Sequence, residues 1–204
     1  MKNCISFTRI YILAAVLLVS GTAFAQKPGT IGLGIKAGDP TGLSAKFYQS
    51  SFDIELVVGR PYYFSSRYRS NSYYNTRFYK IDKFSNKYYK FGYYESANPL
   101  AIQVHFLKTK ATKTAKELKW YYGGGPQLRA HRVEYFYYDD RYKNVYYSEV
   151  VTNIDLGLDG VVGLEYTFSD IPISIFADVN LFVEILDEPL HLGLQGGLGV
   201  RYNL

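Results

Sequence analysis

Three histidines are the residues of this chain best suited to acid–base chemistry or metal binding. His105 and His191 stand in alternating apolar and polar segments, and His131 lies near a tyrosine-rich loop. Imidazole is a common general base and metal ligand, but acyl transfer or hydrolysis also requires a nucleophile and an orienting carboxylate within hydrogen-bond reach. No motif supplies that arrangement or a metal-ligand spacing. We therefore predict no catalytic residue, cofactor or metal site, and a lipid-modifying enzyme that uses His105 or His191 remains an alternative.

Charged residues recur on one face of alternating segments. In residues 153–168 the even-numbered positions are almost all apolar, whereas Asp155, Asp159 and Glu165 share the other face with glycines. Strict alternation of this kind predicts a β-strand with one apolar face. The pattern occurs eight times, in residues 30–38, 42–48, 52–59, 100–107, 118–125, 153–168, 173–184 and 190–204.

The charge and glycine content of the two faces indicates which solvent each face contacts. The apolar face is nearly free of charge in all eight segments, and the mixed face is poor in charge for a water-exposed surface and rich in glycine. Only helices and closed barrels pair every backbone group inside a bilayer, and short and long connections that largely alternate are typical of outer-membrane barrels. We therefore predict an all-β fold, a transmembrane antiparallel up-and-down β-barrel of eight strands with a filled lumen.

The charged residues of the mixed face then lie inside the barrel. Because an unpaired buried charge is costly, we expect a lumenal ion-pair network. Its predicted members are Lys36, Lys46, Asp53, Glu55, Lys119, Asp155, Asp159, Glu165, Asp178, Glu184 and Arg201. Glycines 157 and 163 are expected to make room for the lysine and arginine partners. A filled lumen also predicts that solutes do not diffuse through the barrel.

The first 25 residues have the pattern of a secretory signal peptide. A basic start is followed by the apolar run 10–19 and by the small residues Ala23 and Ala25. We expect cleavage after Ala25, which leaves residues 26–204 as a single barrel domain with both termini in the periplasm. The single cysteine, Cys4, lies in the segment that is removed.

Two stretches, about 60–97 and 130–152, are expected to form long extracellular loops rich in tyrosine. Aromatic rings stack on sugars and attract cations, and guanidinium groups pair with phosphates. Candidate partners are therefore lipopolysaccharide, a glycan or a protein, and nucleic acid is not expected outside the cell membrane. The candidate loop binding surface comprises Tyr62, Tyr63, Arg67, Tyr68, Arg69, Tyr73, Tyr74 and Arg77. The alternative is that these tyrosines only belong to an interfacial aromatic girdle.

The chain ending "GLGVRYNL" resembles the β-signal of outer-membrane barrels, with Gly199, Tyr202 and Leu204 at the matching positions. The family usually ends in an aromatic residue, so Leu204 departs from its pattern. Together with "GLGIKAGDPTGLSAKFY", "WYYGGGPQ" and "DGVVGLEYTFSDIPISIFADVN", this ending resembles the small outer-membrane β-barrel proteins common in Bacteroidota, which are OmpA/OmpX-like eight-stranded barrels.

This resemblance implies a place in the bacterial outer membrane, contact with its lipid, and assembly by the barrel-assembly machinery. It carries no agreed activity and therefore no catalytic residues. The prediction for function is a non-enzymatic barrel whose Tyr/Arg-rich loops serve surface interaction or envelope integrity. An accessory subunit of a larger outer-membrane complex is a further alternative.

Overall fold

A computed structural model of the chain describes residues 28–61, 71–112, 115, 117–142, 145–186, 190 and 192–204. Several sequence-based predictions fall outside these residues. They are the signal peptide 1–25, the loop residues Tyr62, Tyr63, Arg67, Tyr68 and Arg69, and His191.

Eight antiparallel strands form a closed barrel in which each strand pairs with its neighbours in chain order. The strands are β1 (Ile31–Gly38), β2 (Thr41–Phe47), β3 (Asp53–Arg60), β4 (Tyr89–Ala111), β5 (Leu118–Asp139), β6 (Tyr146–Thr167), β7 (Ile173–Glu184) and β8 (Leu192–Asn203). Pairing of β1 with β8, from Gly32 opposite Asn203 to Gly38 opposite Gly197, closes the barrel. The predicted all-β fold, an antiparallel up-and-down barrel of eight strands, is confirmed.

The barrel has a polar interior and an apolar exterior. Leu43 is 68% exposed on the outside of β2, whereas Lys46 on the same strand is 0% exposed. Successive side chains of a strand point to opposite faces, so the alternation in sequence places the charges of the mixed face in the lumen. The apolar residues of the other face, such as Ile35 and Leu198, surround the outside.

Three strands are much longer than the sequence analysis predicted. The expected loops at 60–97 and 130–152 are wrong over residues 89–97, 130–139 and 146–152, which continue β4, β5 and β6. These parts pair with one another, as in Tyr94 opposite Tyr135, and extend past the barrel rim as a three-stranded sheet. We call this sheet the projection. Tyrosine favours strands, but it fills both faces here and so removes the alternation that marks the other strands.

A short helix, α1 (Asn71–Phe78), and a 3-10 turn (Asp82–Phe84) precede the projection in sequence. They pack on the face of the projection that continues the lumen wall. The buried residues of this contact are Tyr74, Phe78, Phe84, Val133 and Tyr135. No helix in the part of the chain that the structure describes is long and apolar enough to cross a membrane.

Candidate functional site

The lumen contains two linked ion-pair clusters, of which the first surrounds Lys46. The ammonium group of Lys46 lies 2.7 Å from a Glu165 carboxylate oxygen and 3.4 Å from one of Asp53. Tyr48 donates its hydroxyl hydrogen to Glu165 as well. Thr109 donates to Asp53 at 2.6 Å. These contacts join β2, β3, β4 and β6 across the barrel.

Arg201 is the centre of the second cluster and is fully buried. Its guanidinium donates to the Ser44 hydroxyl at 3.0 Å and to a Glu55 carboxylate oxygen. It also lies 3.6 Å from Glu165, which connects it to the Lys46 cluster. A buried charge is tolerated when it is paired and hydrogen-bonded, and these contacts meet that condition.

Lys36 and Asp178 form a separate ion pair between β1 and β7. The Lys36 ammonium lies 2.7 Å from Asp178, and both side chains are 0% exposed. Tyr121 approaches the other oxygen of the same carboxylate, with its hydroxyl donating at 3.3 Å. This pair holds together strands that are separated in the barrel by β8.

His105 lies at the centre of the lumen between two carboxylates. Its Nδ1 is 3.3 Å from Glu55 and its Nε2 is 2.9 Å from Asp159. Both ring nitrogens therefore face carboxylate oxygens. The geometry fits a structural link between two acids better than a general base.

Amide side chains form a layer beside Asp159 and share its carboxylate with His105. Gln103 donates to Asp159 at 3.3 Å and to Gln195 at 3.5 Å. With its amide oriented to suit its neighbours, Gln127 accepts from Arg129 Nε at 2.6 Å and donates to Asp159 at 2.7 Å. The sequence analysis did not predict this layer, because it assigned only charged residues to the lumenal network.

Three cations of the lumen lie over aromatic rings. Arg201 lies 3.6 Å from the ring centroid of Phe176, Arg129 lies 4.0 Å from that of Phe182, and Lys46 lies 4.5 Å from that of Tyr121. Cations are attracted to the negative faces of aromatic rings. Sequence analysis placed these rings on the mixed face but gave them no role.

Each of these rings lies against a glycine of a neighbouring strand. A Cβ on Gly199 would lie 2.4 Å from the Phe176 ring, one on Gly157 2.4 Å from the Phe182 ring, and one on Gly163 2.4 Å from the Tyr121 ring. The expectation that glycines 157 and 163 make room for lysine and arginine is therefore wrong. They make room for rings, and the cations lie on rings instead.

The remaining predicted network residues occupy less central positions. Asp155 is buried and stands directly opposite Arg129, a cation that sequence analysis left out of the network. Glu184 is buried opposite Gly157. Lys119 is half-buried at the start of β5, opposite Glu165.

Helix α1 covers the lumen where the projection begins. Tyr74 is 0% exposed, with its ring centroid 3.9 Å from that of Tyr94 and 6.3 Å from that of His131. The prediction that Tyr74 belongs to a loop binding surface is wrong, because the helix turns it inward. His131 was expected near a loop but is a buried residue of β5. Arg77 is half-buried, and the Tyr73 side chain lies outside the described residues.

Stacked aromatic residues lie on the outer surface toward both ends of the molecule. Near the end of the barrel opposite the projection, Trp120 and Tyr122 stack at 5.1 Å with Lys110 beside both rings. On the projection, Tyr93 and Phe136 stack at 4.3 Å with their planes 6° apart. The residues predicted to form a β-signal, Gly199, Tyr202 and Leu204, lie in β8 or directly after it.

The fold and the lumen define a closed eight-stranded antiparallel β-barrel with a packed, ion-paired interior. Comparison with protein-family models and with curated proteins gives no match.

Proposed function

We propose that this chain is a non-enzymatic bacterial outer-membrane barrel that presents the projection for surface interaction. The inverted polarity of the barrel carries the proposal. Arg201, Lys36 and Glu55 are buried in the lumen, while Ile35 is 65% and Leu198 64% exposed on the outside. In water, the opposite arrangement would be the more stable one, whereas an apolar exterior is favourable in contact with lipid.

The interior supports a structural role for the lumen. Its charged groups are engaged with one another, and the ring nitrogens of His105 both face carboxylates. Rings of Phe176 and Phe182 occupy space that a channel would need. An eight-stranded barrel has room for side chains but not for an aqueous pore. Acyl transfer at a lumenal histidine would need that network to open.

The proposed orientation follows from the barrel's two ends. Chain termini and the connections β2–β3, β4–β5 and β6–β7 lie at one end, and α1 and the projection lie at the other. Outer-membrane barrels have short periplasmic turns and longer extracellular segments. The projection is therefore assigned to the cell surface, where it would meet glycans, outer-leaflet lipid or other proteins.

Membrane fractionation combined with heat-modifiable migration in detergent gels tests this proposal. The expected result is an outer-membrane protein that migrates differently before and after boiling. Limited proteolysis of whole cells should cut the hairpin between β5 and β6, and leave the connection between β6 and β7 intact. A soluble periplasmic product without a heat-dependent shift would refute the proposal.

A further inference from the structure

The outward face of β5 changes character along its length. Its even-numbered residues begin with Trp120 and Leu128, which are exposed on the apolar outside of the barrel. They continue with the exposed cation Arg132, then Glu134, and reach Phe136 and Tyr138 on the projection. The surface is therefore apolar, then cationic, then acidic and aromatic. A glycolipid offers acyl chains, phosphates and sugars in the same order.

The aromatic part of this face is a flat platform. Tyr93 and Phe136 stand opposite each other on β4 and β5 and have nearly parallel rings. Tyr146, 66% exposed, extends the surface onto β6. A shallow cleft of about 450 Å³ is lined by Tyr93, Phe136, Tyr146, Tyr147 and Ser148.

Two carboxylates adjoin the platform. Glu95 and Glu134 stand directly opposite each other, two positions from Tyr93 and Phe136 and on the same face. Carboxylates accept hydrogen bonds from hydroxyl groups, and the negative faces of aromatic rings attract the weakly positive C–H groups of a sugar ring. The same acids disfavour an anionic ligand, so the platform fits a neutral saccharide better than a phosphate.

The height of the platform separates it from a membrane girdle. Phe136 follows Leu128 by 8 positions, which at about 3.4 Å per residue and a tilt of about 40° places it roughly 20 Å higher. Aromatic girdles lie at the edges of the apolar band, as Trp120 and Tyr122 do. The platform stands too high for acyl chains and reaches the layer of lipid-linked sugars.

We infer that the Tyr93–Phe136 platform, with Glu95 and Glu134, binds the core saccharide of a neighbouring outer-leaflet glycolipid. This inference rests on the proposed orientation in the outer membrane. The platform lies on the outward face of β4 and β5, and the same face contacts lipid within the barrel. One glycolipid can therefore pack its acyl chains on the barrel while its sugar stacks on the rings. Arg132 then lies between the two, at the height of the phosphates.

Binding of released core oligosaccharide to the protein in lipid nanodiscs tests the inference. The variant Tyr93→Ala/Phe136→Ala should bind at least tenfold more weakly than the natural sequence. Tyr142→Ala is the matched control, because Tyr142 is 56% exposed at the hairpin tip and lies off the platform. If the double variant loses its heat-dependent gel shift, Tyr146→Ala replaces it, with binding expected to be at least threefold weaker.

A second arm identifies the source of the sugar by native mass spectrometry. The protein should retain lipopolysaccharide that ends at its core sugars, and retain lipid A without those sugars much less. Equal retention of both lipids, unchanged oligosaccharide binding in the platform variants, or no binding by the natural protein would overturn the inference. Dissociation of a protein dimer by Tyr93→Ala would also overturn it, in favour of a second copy. In each case an intact heat shift and membrane location leave the proposed function standing.

Discussion

Removal of one partner from the Lys36–Asp178 pair should destabilise the barrel strongly. Lys36→Met keeps most of the side-chain volume and removes the charge. The side chain lies along Gly197, where an added Cβ would be 2.7 Å from Lys36 Cε, so the unbranched methionine can follow the same path. Asp178 would then be a carboxylate with 0% exposure and no ammonium group beside it.

The expected magnitude follows from the distance and the burial. At the 2.7 Å between Lys36 Nζ and Asp178 Oδ1, two unit charges attract by about 6 kcal/mol at an effective dielectric constant of about 20. The desolvation of both charges offsets much of that attraction. When only Lys36 is replaced, the cost of burying the Asp178 carboxylate remains. The loss of unfolding free energy should be about 3–5 kcal/mol. The double variant Lys36→Met/Asp178→Asn should lose less than either single variant, with a coupling energy of at least ~2 kcal/mol.

Urea unfolding in lipid vesicles measures these differences, with Trp120 as the reporter. It is the single tryptophan of the chain and is exposed on the apolar outside, so its emission shifts when it leaves lipid for water. Lys108→Met is the matched control, because Lys108 is exposed near the end of β4. If Lys36→Met and Lys108→Met differ by less than about 1 kcal/mol, the lumen is hydrated enough to screen the charge and the ion-pair argument fails.

Three further perturbations test other parts of the structure. Gly163→Ala should cost about 1–3 kcal/mol of folding free energy, because its Cβ would collide with the Tyr121 ring 2.4 Å away; Tyr121→Leu should relieve part of the loss in the same urea assay. Phe78→Ala removes a fully buried ring from the contact between α1 and the projection. Whole-cell proteolysis should then cut the projection faster, while the heat-dependent gel shift persists. Loss of the gel shift would contradict this expectation and mean that the barrel and α1 fold as one unit. Planar-bilayer recording should show no stable open channel in the natural protein, and a steady conductance would contradict a filled lumen.

The strand faces were predictable because the pleat of a strand converts alternation directly into inside and outside. Each residue of 173–184 was assigned to a face by its parity alone, and the buried Asp178 and exposed Val179 follow that assignment. The same parity placed Lys46 and Glu165 in the lumen. Their specific pairing depends on how the closed barrel brings β2 near β6, which no local pattern records.

The ring-on-glycine contacts were missed for the same reason. Phe176 meets Gly199 because they are opposite in the register of β7 and β8, and that register is set by the hairpin and by closure of the barrel. A usable signal did exist, since inward aromatic positions and inward glycines occur in adjacent strands. The projection was missed because its inner face is as aromatic as its outer face, so period-2 alternation disappears.

The inner faces of the long strands β4, β5 and β6 meet two environments in succession, and this change accounts for α1. Within the barrel, the inner face of β5 meets other lumen side chains, such as those around Gln127. Past the rim, the opposite barrel wall ends, and Val133 and Tyr135 would face water without a partner. Burial of such side chains is favourable by roughly 25 cal/mol per Å², so a segment that folds back over them stabilises the projection. Tyr74 and Phe78 supply that cover. The connection between β3 and β4 is therefore long because it has to supply α1, which covers the projection.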